Sequence, residues 1–141
     1  MSLPYPVECP VIVVPENFVF PKNNILLYDG TERSVYAIKQ FAYLFPELAG
    51  NRTLLVYISG DEKIPDQVNI EELAARHFHD LTIMKVEIDP GKYFTTWLSE
   101  RKSGILISGS FGRSAFSRML KKSFISNAIK EHTLPVFIAH K

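Results

Sequence analysis

The sequence predicts an α/β domain built on a doubly wound, parallel sheet of five strands, and three observations predict it. Five short apolar runs read as strands: Ile25–Tyr28, Thr53–Ile58, Leu81–Val86, Ile105–Ser108 and Val136–Ala139. The segments between them carry apolar residues at helical spacing. The resulting alternation, βαβαβαβαβ, implies a largely parallel sheet with helices on both faces.

Each helical segment has its own start or stop. Thr31 is placed to cap a first helix that buries Val35, Ile38, Phe41, Ala42 and Phe45, with Pro46 marking its end. Asn69, with Glu72 three residues on, has the form of a capping box before Ile70, Leu73, Ala74 and Phe78. Tyr93, Phe94, Trp97 and Leu98 put aromatic bulk on one side of a third helix, which Gly104 stops. Phe124, Ile125, Ala128 and Ile129 predict a fourth.

Composition bounds the function. At 141 residues the chain is long enough for one domain with a real core. Sixteen Lys and Arg against 15 Asp and Glu leave a formal charge of +1, without the basic surplus that a dedicated nucleic-acid or acidic-membrane binder needs. The single cysteine, Cys9, forms no internal disulfide and builds no zinc site, which points to a reducing cytoplasm. No apolar run approaches the roughly 18 residues of a membrane span. His77 and His79 stand two apart, so on a helix they face different ways and do not chelate together. No nucleophile, base and orienting group stand together as a catalytic set, so a binding module is expected rather than an enzyme.

The N-terminus falls outside the alternating scheme. Cys9-Pro10-Val11-Ile12-Val13-Val14 is an extra strand-like run, separated from the first strand by the proline-bearing segment 15–22. It echoes Leu134-Pro135-Val136-Phe137-Ile138-Ala139, 125 residues later and about one domain length away. Residues 1–22 are accordingly read as an extra strand and linker, the end of a preceding similar domain, and residues 23–141 as the domain proper. Antiparallel pairing of the extra strand with the last one is expected, within the chain or across a dimer.

Ligand chemistry is sought where doubly wound sheets place it, beyond the carboxyl ends of the strands at the reversal of winding. The first strand runs into Tyr28-Asp29-Gly30-Thr31 and the fourth into Gly109-Ser110-Phe111-Gly112. Glycines let main-chain N–H groups converge on a phosphate, and a helix start beyond the loop adds free N–H groups and the positive dipole end. Asp29 is suited to accept hydrogen bonds from ribose hydroxyls. Arg113, Arg118, Lys121 and Lys122 add charge. A Walker-type loop is excluded, because Lys121 rather than glycine precedes Lys122.

These residues resemble the universal stress protein family, whose fold is the adenine nucleotide alpha hydrolase-like one. Its mark is Gly-x-x-Gly, nine residues, then Gly and Ser or Thr; Gly109, Gly112 and Ser123 match, and Arg113-Ser114 are similar to common family choices. Asp29 resembles the family's first-strand aspartate, and both proline-led runs resemble its closing strand, usually the dimer contact. The resemblance implies a strand order of 3-2-1-4-5 and ATP or a related adenine nucleotide, carried with magnesium, between strands one and four. It implies phosphate contacts from Gly109, Gly112 and Ser123, and places Tyr57 near the adenine, where it either stacks on the base or blocks it. Lys122 stands where the family has its third glycine. Two courses are open: Lys122 joins Arg113 in holding phosphate, or it fills the phosphate space and leaves an interaction module that works through the closing strand, in a homodimer or with a tandem domain. Slow nucleotide hydrolysis is a third course, for which no positioned general base can be named.

Overall fold

A computed structural model describes residues 10–16, 19–58, 64–86, 103–109 and 134–139. The first apolar run starts two residues earlier than the sequence pattern indicates and forms β2, Asn23–Tyr28, after the extra strand β1, Val11–Val13. There follow α1 (Glu32–Leu44), α2 (Pro46–Ala49), β3 (Arg52–Ile58), α3 (Gln67–His77), β4 (Leu81–Val86), β5 (Gly104–Gly109) and β6 (Val136–Ala139). The third and fourth predicted helices lie outside the described residues.

The six strands form one sheet in the order β1-β6-β5-β2-β3-β4. Strands β2 to β6 are all parallel to one another. Counted from β2, they stand in the order 3-2-1-4-5 that the resemblance implies. β1 adds to the β6 edge, antiparallel and within the chain, with Val11 opposite Ile138, Ile12 opposite Phe137 and Val13 opposite Val136. The winding reverses at β2, which lies between β3 and β5.

One sheet face carries Leu26, Tyr28, Leu55, Tyr57, Ile105, Ile107, Phe137 and Ala139, packed with Ala37, Ile38, Phe41 and Ala42 of α1 and Ile70 and Ala74 of α3. Phe41 is the hub, with ring centroids 5.5 Å from Phe45, 6.4 Å from Phe78 and 5.5 Å from Phe137. Alternate residues Ile25, Leu27, Val56, Leu106 and Val136 point the other way and are buried too. The sheet is therefore covered on both faces, as its parallel strands require. At the amino-terminal end of β2, buried Asn24 donates to the Leu48 carbonyl at 2.7 Å and to Thr53 Oγ1 at 3.0 Å, tying three elements together.

Thr31 caps α1 as expected, its Oγ1 accepting from Ser34 N at 3.3 Å. Pro46 ends that helix and also opens the short α2, since proline at the first helical position has no N–H to leave unsatisfied. The capping box at Asn69 is a correction: α3 begins at Gln67, with Asp66 in the left-handed region at φ 49° as its N-cap. Asp66 makes no side-chain cap. The extra first turn is held instead by Ile70 N donating to Asp66 O and by Gln67 reaching Glu71 one turn on.

Candidate functional site

The carboxyl ends of β2 and β5 meet at the reversal of winding, and the first turn of α1 lies across them. Beyond Tyr28 the chain turns through Asp29, Gly30 and Thr31. Asp29 Oδ1 accepts from the backbone N–H of Thr31 at 2.9 Å and from its hydroxyl. Thr31 Oγ1 accepts in turn from Ser34 N, while Ser34 Oγ donates to Thr31 O at 2.8 Å. One oxygen of the carboxylate thus organises the helix start. The other, Oδ2, has no hydrogen-bond partner among the described residues.

Two glycines make this junction possible. Gly30 sits at φ +85°, and a Cβ there would stand 3.0 Å from Pro65 Cγ, so both the backbone angle and the space call for glycine. At Gly109 a Cβ would lie 2.6 Å from the Arg33 carbonyl carbon and oxygen and 2.8 Å from Ser34 N. All three are backbone atoms, which cannot swing aside. Gly109 therefore lets the first turn of α1, which the Asp29 turn leads into, ride directly on the end of β5. The register agrees, with Leu26 of β2 beside Ile107 of β5 shortly before both strands end.

Tyr28 was not singled out by the sequence, yet it anchors the site from below. Its hydroxyl donates to the Pro65 carbonyl at 2.6 Å, fastening the end of β2 to the entry of α3. Burial, helped by the negative charge of Asp66 and by Tyr57 and Asp29, pushes its pKa above the ordinary 10.0 and keeps it a donor. The signal that would have found it is a tyrosine closing an apolar strand opposite a Pro-Asp helix entry. Beside the turn, between α1 and α3, runs a groove of about 520 Å³ whose walls include Gly30, Thr31, Tyr36, Lys39, Ile70 and Arg76.

Of the residues singled out by sequence, Asp29 and Gly109 are brought together. Tyr57 is in the core, 4% exposed, its ring 5.9 Å from that of Tyr28, and it does not line the groove. Gly112, Arg113, Lys122 and Ser123 lie outside the described residues. Among the described residues no group of His, Cys, Asp and Glu side chains is placed to hold a metal ion, and no helix is long and apolar enough to cross a membrane.

The sequence matches no protein-family model and no curated protein. The fold does have solved counterparts. A universal stress protein from Archaeoglobus fulgidus superposes with a TM-score of 0.66 at 16% identity, over 95% of this chain and 50% of that one. A universal stress protein in complex with cAMP superposes with a TM-score of 0.58 at 15% identity, over 84% of this chain and 97% of that one. A Mycobacterium tuberculosis protein gives 0.55 at 18% identity, over 89% and 99%. The chain has the universal stress protein fold, and it spans about half the length of the archaeal protein.

Proposed function

We propose that this chain is an adenine-nucleotide-binding module of the universal stress protein type, acting in stress response or signalling in the cytoplasm and not as a catalyst. The observation that carries this reading is the junction of the Asp29 turn, the first turn of α1 and Gly109 at the reversal of winding, where open α/β sheets take their ligands. Asp29 Oδ2 accepts from the ribose hydroxyls. Gly112, Arg113, Lys122 and Ser123, which follow Gly109 in sequence, hold the phosphates through backbone N–H groups, charge and a hydroxyl. Magnesium enters with the nucleotide. Tyr57 acts through its packing on Tyr28, which holds the end of β3 in place beside the site. The solved relative that carries cAMP supports an adenine ligand.

Thermal shift with Mg-ATP and with cAMP tests the reading. A rise in Tm in the parent that is lost in Gly112→Val is expected. No shift in the parent, with one gained in Lys122→Gly, contradicts it and favours a second reading. In that second reading the pocket is degenerate and the protein works by pairing through its closing strand, with a second copy or a tandem domain. The specific observation in its favour is β1, a proline-led strand already seated on the β6 edge. Residues 4–14 are then the end of a preceding domain of the same kind.

A further inference from the structure

The groove between α1 and α3 has a polarity that a nucleotide at Asp29 does not use. Both helices return from the carboxyl ends of parallel strands, β2 and β3, so they run the same way and start at the same end of the sheet. Glu32 in the first turn of α1 and Asp66 at the entry of α3 border the groove at that end. Lys39 is about two turns beyond Glu32 and Arg76 about three beyond Asp66, so roughly 10–15 Å separates the acidic end from the basic one. Asp66 makes no side-chain cap for its own helix. Arg76 is paired with Glu72 at 2.7 Å, whereas Lys39 makes no hydrogen bond or ion pair among the described residues, so Lys39 carries the net charge of its end. Between the two ends the floor is apolar, made of buried Ile70 with the partly buried Val35 and Leu73.

We infer that this groove docks an amphipathic helix of a partner protein, about three turns long and antiparallel to α1 and α3. The inference goes beyond nucleotide binding and does not rest on it. Helices ordinarily carry acidic residues in the first turn and basic ones in the last, complementing their own dipole. Laid antiparallel, such a helix sets its basic last turn against Glu32 and Asp66 and its acidic first turn against Lys39. Laid parallel, it sets like charge against like. Each side chain carries a full charge and each helix end only about half of one, so the side chains decide the sign at both ends of the groove. Apolar residues at i, i+3 and i+7 of the incoming helix share one face and cover Val35, Ile70 and Leu73. A small ion would meet charge at one end only, and would leave that floor in water. The groove, of about 520 Å³, has room for a stripe of side chains.

Fluorescence anisotropy of the nucleotide-free full chain at low salt tests the inference with two labelled peptides of about three helical turns, each held helical by the same lactam bridge. Both carry leucine at i, i+3 and i+7. One adds glutamates in its first turn and lysines in its last; the other has glutamine at all of those places. The charged peptide is expected to bind about tenfold more tightly than the neutral one. Lys39→Glu, at an exposed position, should weaken the charged peptide about fivefold and leave the neutral one unchanged. A nitroxide on the last residue of the charged peptide should broaden amide signals near Glu32 and Asp66, which locates the peptide and fixes its direction. Failure of the charged peptide to bind, equal affinity for the two peptides, or an unmoved affinity in Lys39→Glu would overturn the inference. So would broadening near Lys39 and Arg76 instead.

Discussion

The two places where this chain closes its sheet are built very differently. At the reversal of winding, β2 and β5 are buried central strands, and their carboxyl ends are locked by a chain of hydrogen bonds from Asp29 through Thr31 to Ser34. Backbone lies on backbone at Gly109, and Tyr28 fastens the floor to Pro65. At the β6 edge, three residues of β1 close the sheet with Val11 and Ile12 each about two-fifths exposed. One region tolerates no added atom; the other is held by a short ladder and leaves an apolar groove open beside it. Ligand sites need the first kind of rigidity, because a donor set that shifts loses its geometry.

Substitutions can break that contrast, and the largest effect is expected at Gly109. Gly109→Val should destabilise the domain by about 3 kcal/mol, because the contacted atoms are the backbone of α1 and cannot yield; urea denaturation measures it. Gly30→Ala should cost about 2 kcal/mol in the same assay, from the positive φ, with the Pro65 contact adding to it. Thr31→Ala removes the α1 cap and should cost about 1 kcal/mol.

Tyr28→Phe should cost a similar amount, about 1 kcal/mol, through the lost hydrogen bond to Pro65. It carries a pH signature as well. With its folded pKa raised above 10.0, Tyr28 contributes stability that is complete below pH 10 and is lost as pH climbs from there through the folded value. The parent should therefore lose stability more steeply than Tyr28→Phe in alkaline titrations followed by Tm. At the seam the expected effect is smallest: Val11→Asp, on an exposed edge, should change stability by no more than about 0.5 kcal/mol. A loss as large as that of Gly109→Val would erase the contrast.

Much of this was legible in the sequence because local chemistry and tertiary packing agree. The parallel order follows from strands alternating with helices, and Thr31 reads as a cap because its hydroxyl has an N–H to accept from one turn into α1. Asp29 and Gly109 could be paired across the sheet, since both stand at strand ends flanking the reversal. The reason for Gly109 was less legible. A Gly-x-x-Gly loop reads as room for phosphate, whereas the atoms that crowd Gly109 belong to α1, a contact between residues 33–34 and 109 that no local pattern encodes. The start of α3 was misplaced for a related reason. Asn69 and Glu72 satisfy the capping pattern, but the chain was already helical at Gln67, entered through a left-handed Asp66 that the pattern does not describe. From its position along the strand Tyr57 reads as stacking on the base or blocking it, whereas the face it takes, packed on Tyr28, is not visible in the sequence.

The most direct test of a nucleotide site at the rigid junction is calorimetric titration of Mg-ATP into the parent and into Asp29→Asn. The asparagine keeps an oxygen for the Thr31 N–H, so the turn and the α1 cap survive, while the charge offered to ribose is lost. One saturable site in the parent, weakened about tenfold in Asp29→Asn at unchanged Tm, is the predicted result. Absence of binding in the parent, or equal affinity in both proteins, would contradict it.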